Sequence, residues 1–161
     1  MSRSGVEMGM VVNASLGLEG IRARYGAAFA LGGSLQMFID ATVLKGVEPY
    51  VPMRVGSLTR SGILHTRIGQ GMITWKTPYA RYLYYGELMV DPVYGKGAFT
   101  DGERFWSRKG VLKVKSGREL KYDKSRHPLA QMRWAEAYKN DHLKELTGMV
   151  RRKARRISEG I

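Results

Sequence analysis

"WKTPYARYLYYG", Trp75 to Gly86, places five aromatic rings in twelve residues. Proline suits the first turn of a helix and glycine its end, so Pro78 and Gly86 bracket a helix of about two turns. On that helix Tyr79, Tyr82 and Leu83 share a face, while Tyr84 and Tyr85 point elsewhere. A single core contact cannot absorb rings that project around most of a short helix. A core helix with its hydroxyls in water accounts for some of them. Base stacking is a second use, but it favours rings spread over a sheet face or a groove. Contact with another protein suits tyrosine, whose large apolar body ends in a polar tip. Trp75, Tyr79, Arg81, Tyr82, Tyr84 and Tyr85 are therefore the candidate subunit interface.

Upstream, "ILHTRI" (Ile63–Ile68) and "MITWK" (Met72–Lys76) flank the glycine turn "GQG", which predicts a hairpin. Before it, "MRVGSLTRSG" reads as a turn and a short helix, and "GVEPYVP" (Gly46–Pro52) stops whatever helix precedes it. From Leu16 to about Val43 the spacing is helical, with Leu31, Leu35, Phe38 and Thr42 on one expected buried face. Gly26 and Gly32-Gly33 weaken this segment, so it is either one kinked helix or two. "VEMGMVVN" (Val6–Asn13) reads as a first strand. Downstream, residues 87–126 form a polar, glycine-rich excursion containing a second expected hairpin, "VLKVK" and "RELKY" around "SG". Pro128 to about Ile157 closes the chain as a helix, with Leu129, Met132, Trp134, Ala137, Leu143, Leu146 and Val150 as its apolar stripe. The expected class is α+β: a small antiparallel sheet packed on a long N-terminal helix, a C-terminal helix, and an extended arm. One domain covers residues 1–148 with the arm inserted at about 87–126, and 149–161 form a basic helix end or tail.

The 161 residues suffice for a core without staples, and a 43% hydrophobic fraction excludes a disordered chain. Absence of cysteine excludes disulfides, thiolate zinc sites and cysteine nucleophiles. The N-terminus lacks the pattern of a signal peptide, and Gln36 and Asp40 interrupt the most apolar window, which argues for a core helix rather than a membrane span. The net charge of +13 is uneven: residues 1–100 hold ten Lys/Arg against six Asp/Glu, residues 101–161 seventeen against eight. Such an excess attracts polyanions or acidic protein surfaces. In "VRRKARR", Arg151, Arg152, Arg155 and Arg156 form pairs one helical turn apart, with Lys153 on another side. This face fits DNA phosphates without sequence reading, an acidic partner, or the negative end of the helix dipole.

Chemistry is sparse. His65, His127 and His142 lack metal-ligand spacing, and His127, before Pro128, reads as a capping or packing residue. No nucleophile elbow, Walker or dinucleotide fingerprint is present. Glu119 and Lys121, two apart on an expected strand with Asp101 upstream, fit a divalent-metal nuclease. Alternating charge on an exposed hairpin produces the same letters. No catalytic residue, metal or cofactor is assigned.

"PYVPMRVGSLTRSG" (Pro49–Gly62), "GQGMITWKTPYARYLYYGE" (Gly69–Glu87) and "HPLAQMRWAEAYK" (His127–Lys139), in that order, resemble the minor capsid, or neck, protein family of tailed bacteriophages. The matching positions are Tyr50, Val51, Pro52, Gly56, Leu58, Ser61, Pro78, Tyr79, Ala80, Arg81, Tyr85, Gly86, His127, Pro128, Ala130 and Trp134. The resemblance covers most of residues 8–140 and leaves the tail after Leu146 outside. Val55 and Gln131 depart from the usual threonine or small polar residue, which touches local capping. The resemblance implies a structural, non-enzymatic virion protein, made in the host cytoplasm and placed at the head–tail junction. It implies a sixfold or twelvefold ring around the DNA channel, between portal-side and tail-side neighbours, with non-specific DNA contact and no membrane. The alternative is a basic DNA-binding accessory protein, with the nuclease third.

Overall fold

The computed structural model describes residues 7–11 and 19–160. In chain order it contains β1 (Glu7–Val11), α1 (Glu19–Tyr25), α2 (Ser34–Val47), α3 (Ser57–His65) and β2 (Met72–Lys76), then α4 (Ala80–Tyr85), β3 (Glu87–Val90), β4 (Phe99–Thr100), β5 (Phe105–Trp106), β6 (Val114–Glu119) and α5 (Trp134–Ser158). The α+β class stands. Its strands form three antiparallel pairs, β1–β2, β3–β6 and β4–β5, instead of one small sheet.

The N-terminal helical segment is broken. A 3-10 turn at Gly26–Phe29 follows α1, and the chain bends by 81° into α2. Residues 16–18, expected to begin the first helix, and Val6, Val12 and Asn13 of the expected strand lie outside the described residues. Leu35, Ile39, Val43 and Val47 of α2 are buried, each contributing about 1.5–3 kcal/mol relative to exposure. The buried face differs from the expected one. Leu31 is 73% exposed, and Phe38 and Thr42 are only partly covered, whereas the polar Gln36 and Asp40 point inward. Asp40 Oδ2 accepts hydrogen bonds from the backbone N–H groups of Gly69 and Gly71 at 2.8 and 2.9 Å, and Oδ1 accepts from Gln36 Nε2 at 2.7 Å. Those bonds, unseen in a hydrophobicity pattern, rotate the helix.

The expected hairpin of residues 63–68 with 72–76 is replaced by a helix beside a strand. Residues 63–65 continue α3, which ends where Thr66 turns to extended backbone. The strand partner of β2 is β1, in register from Glu7 opposite Lys76 to Val11 opposite Met72. α3 lies along the other edge of β2, where Ser61 Oγ accepts from the Lys76 N–H at 2.6 Å and Thr66 Oγ1 from the Thr74 N–H at 3.0 Å. Two hydroxyls thus occupy an edge that would otherwise recruit another strand. Gly62 permits the close approach: a Cβ there would stand 2.6 Å from the Trp75 indole nitrogen.

The second expected hairpin is also corrected. "SG" is no turn but part of the continuous strand β6, where Gly117 adopts φ 71° at an irregularity in the register with β3. α5 starts at Trp134 and not at Pro128, because Arg133 takes a left-handed conformation, φ 49°, and interrupts any earlier turn. Leu129 and Met132 consequently lie outside the stripe, at 46% and 44% exposure. Trp134, Ala135, Tyr138, Leu146, Val150 and Ala154 of α5 meet α2 and β2 in the core. The helix runs unbroken through residues 148 and 149. Among the described residues no single helix is long and apolar enough to cross a membrane.

Candidate functional site

α4 is six residues long, closed by Gly86 at φ 70° as its spacing indicates. The helix divides its side chains sharply. Ala80 is fully buried, and Leu83 and Tyr84 pack against the core. The Tyr84 ring meets Trp134 edge-on at 4.8 Å, and Trp134 in turn meets Trp75 at 5.6 Å. Burial, and secondarily the nearby Glu136 carboxylate, pushes the Tyr84 hydroxyl up to about 12. Trp75, 2% exposed, belongs to this aromatic core, where its ring faces no solvent. Arg81 is exposed, Tyr82 is half-buried, and Tyr79 and Tyr85 are 40% and 44% exposed. Tyr85 stands at 5.3 Å from Tyr84 under the Arg133 guanidinium.

The rest of the chain anchors α4 by its main chain. Tyr84 O accepts from the Arg133 N–H at 2.8 Å, Gly86 O from the Leu120 N–H at 3.0 Å, and Leu83 O from the Tyr122 hydroxyl. The motif blocks, far apart in sequence, meet here. His127 Nδ1 lies 2.7 Å from Val51 O, which makes it the donor of a packing contact, and Tyr50 O accepts from the Gln131 N–H at 3.3 Å. Gln131 thus serves by its backbone, whatever its side chain. Gly56 begins α3 at φ 79° with no side-chain cap, and Val55 beside it is 72% exposed.

The arm is clasped at its root. Asp91 accepts from Arg108 Nε and a terminal guanidinium nitrogen at 2.6 and 2.8 Å, and from the N–H groups of Val93 and Tyr94 at 2.9 and 3.0 Å. The Arg108 bonds hold its carboxyl far below the usual carboxylate range of about 3.8. Because the folded value is the depressed one, the clasp is complete above the unfolded value and is lost as pH falls through the folded one. Pepsin cleavage within residues 92–113, measured against cleavage in α5, should therefore rise as pH is lowered from about 4 to about 2. Asp91→Asn should show the raised rate already at pH 4. A wild-type rate independent of pH would contradict the clasp.

The basic end of α5 is exposed at Arg151, Arg152, Arg155 and Arg156, and among the described residues none of the four makes an ion pair. Lys153 turns inward, its ammonium 5.9 Å from the Phe38 ring centre. The third carboxylate-and-lysine candidate is dispersed in role. Asp101 Oδ1 accepts from the Glu103 and Arg104 N–H groups at 3.0 and 2.8 Å and closes the β4–β5 turn, while Glu119 lies at the end of β6 opposite Glu87. No group of three or more His, Asp or Glu side chains able to hold a metal occurs among the described residues.

What spacing alone missed is the groove beside α4. It measures about 790 Å³ and runs between loop 52–56 with the start of α3, Tyr79 before α4 and Leu83 within it, Phe105 of the arm and residues 120–123. Its walls come from four separated segments, so no local pattern marks it.

No curated protein and no solved structure matches the chain. A family model described as minor capsid protein matches residues 33–154, which extends past Leu146 and takes in the start of the basic helix end, including Arg151, Arg152 and Lys153. The match spans the buried face of α2, the α3–β2–α4 unit, the arm and α5, so the chain belongs to the minor capsid protein family, structural proteins of the bacteriophage virion.

Proposed function

We propose that this minor capsid protein is a ring-forming subunit of the head–tail connector, joining head to tail around the DNA channel without catalysis. The supporting observation is the division of labour on α4. With Ala80, Leu83 and Tyr84 committed to the core, the side chains of Tyr79, Arg81 and Tyr85 remain exposed. Exposed tyrosine and arginine are the side chains that protein interfaces concentrate. A closed ring needs two unlike surfaces on each subunit. α4 with Tyr82 at its edge supplies one, and the protruding arm supplies the other. A sixfold or twelvefold ring, flanked by portal-side and tail-side proteins, is the arrangement this reading predicts.

The double variant Tyr79→Ala/Tyr85→Ala should keep its helical circular dichroism and lose less than about 1 kcal/mol of stability. The yield of infectious tailed particles should fall on the order of tenfold or more, as for removal of interface anchors. Normal particle yield would remove the tyrosine interface from the proposal. Localisation of the protein away from the head–tail junction in labelled particles would remove the connector role itself.

The four exposed arginines, Arg151, Arg152, Arg155 and Arg156, support weak contact with the passing duplex. If each meets one phosphate, the logarithm of the binding constant should fall with log salt at a slope of about −3 to −4, roughly a hundredfold between 50 and 200 mM. Replacing all four by alanine should flatten that slope. Binding that stays tight at about 200 mM would favour a dedicated DNA-binding role over a channel lining that lets the genome slide.

A further inference from the structure

The groove beside α4 has one wall, Phe105, on a hairpin anchored at its base and lightly held at the Phe105 end. The β4–β5 hairpin is ordered from within: Phe99 stacks on Trp106 with ring centres 6.3 Å apart, and Asp101 closes the turn. At its base the hairpin is held by Phe99, whose ring meets Tyr94 edge-on at 5.5 Å and the Lys96 ammonium at 5.7 Å; at its other end Phe105 meets Arg54. The guanidinium carbon lies 4.5 Å from the centre of the Phe105 ring. Arg54 belongs to loop 52–56, which also lines the groove. It is also within electrostatic reach of Asp123, a further lining residue. Behind the contact lie Leu58, 3% exposed, and the half-buried Met53, Leu83 and Leu120, whereas Phe105 itself is still 59% exposed. One cation–ring pair at this end of the hairpin is a weak closure, and its cation and ring sit on separate segments.

We propose that Arg54 and Phe105 form a latch, closing the arm hairpin over the groove and, on release, opening the groove beside Tyr79 to a neighbouring copy. The second half rests on the ring reading; the first rests on the geometry alone. A cation–ring contact at an exposed site shifts an open–closed equilibrium by only about threefold, so the latch is poised rather than locked. A neighbour that binds the open form better shifts the population accordingly.

The chain contains no cysteine, so an introduced thiol reports alone. Leu120→Cys places one on the groove wall, away from both latch residues in sequence. In this background, maleimide labelling should accelerate about threefold with Arg54→Gln or with Phe105→Leu. The pair together should add nothing further, and Arg54→Lys should restore the slow rate. An unchanged rate, additive effects, or a fast rate in the lysine variant overturns the latch. Circular dichroism and exchange protection in α2 and α5 identify any variant that has lost its fold; if Arg54→Gln does, Phe105→Leu against Phe105→Tyr makes the same comparison with the ring kept. Sedimentation of the same proteins separates the two halves. Self-association strengthened about threefold in the released variants supports the neighbouring copy as occupant. Unchanged association with accelerated labelling overturns that occupant and leaves the latch standing.

Discussion

Replacing Trp134 with alanine is expected to destabilise the protein by about 4 kcal/mol and to lower its melting temperature by about 8–16 °C. The side chain is fully buried and among the largest in the core. Three rings meet through it, with Trp75 and Tyr84 held edge-on to its faces at interplanar angles of 79° and 87°. Alanine removes both pairings and leaves a cavity whose walls belong to a helix, a strand and α4, which cannot all collapse into it. Among the described residues the indole N–H finds no hydrogen-bond partner in its buried site. Phenylalanine keeps an aromatic ring and discards that unpaired donor, so Trp134→Phe should cost much less, about 1–2 kcal/mol. Equal losses for the two variants would mean that the indole N–H has a partner, such as an ordered water. A melting temperature near wild type for Trp134→Ala would contradict the central place of this ring. Since α4 rests on Trp134 through Tyr84, the alanine variant should also weaken particle assembly by displacing Tyr79 and Tyr85.

The dependence explains why the fold was partly legible in sequence. Elements with local punctuation were readable: Pro78 and Gly86 around α4, Pro49 after α2, the long cationic helix at the end. Elements whose partners come from elsewhere were not. Residues 63–68 alternate as a strand does, yet Gly62 against Trp75 and the Ser61 hydroxyl on β2 favour a helix there. Both are contacts across the turn, invisible to spacing within the segment. "SG" between two charged runs is sound hairpin chemistry, but β6 pairs with β3 instead and Gly117 is absorbed as an irregularity.

The proposed interaction surface divides in the same way. Its assignment to the aromatic helix rests on counting rings against the faces of a short helix. Which rings remain outside required the core, because Trp75 and Tyr84 have the same chemistry as the exposed set and differ only in meeting Trp134. Likewise Lys153 reads as one more cation until Phe38 is brought beneath it. The family blocks were informative because they mark residues that hold remote segments together: Ser61 on β2, His127 on Val51, Ala130 and Trp134 in the interior.

Removing the Asp40 carboxylate should be the second severe loss, with Asp40→Ala costing about 3–4 kcal/mol. This side chain is wholly buried on α2, with hydrogen-bonding donors around it: two backbone N–H groups of the 69–71 turn and the Gln36 amide. Alanine leaves the turn donors inside without their acceptor, and each unsatisfied group costs about 1–3 kcal/mol. The turn cannot drift outward to find water freely, because the Gly32 N–H also binds Gly69 O at 2.9 Å and β2 begins directly after it. Asparagine keeps one acceptor oxygen and gives up the buried charge, but it aims a donor where an acceptor is needed; Asp40→Asn should cost about 1–2 kcal/mol. Urea midpoints for the two variants give the order, and hydrogen exchange locates the effect. Exchange should quicken first across residues 69–76 in Asp40→Ala, since the turn positions β2 and β2 carries Trp75 into the core. A loss spread evenly over the molecule, or an asparagine variant weaker than the alanine one, would show that Asp40 stabilises α2 itself and not the turn that α2 holds.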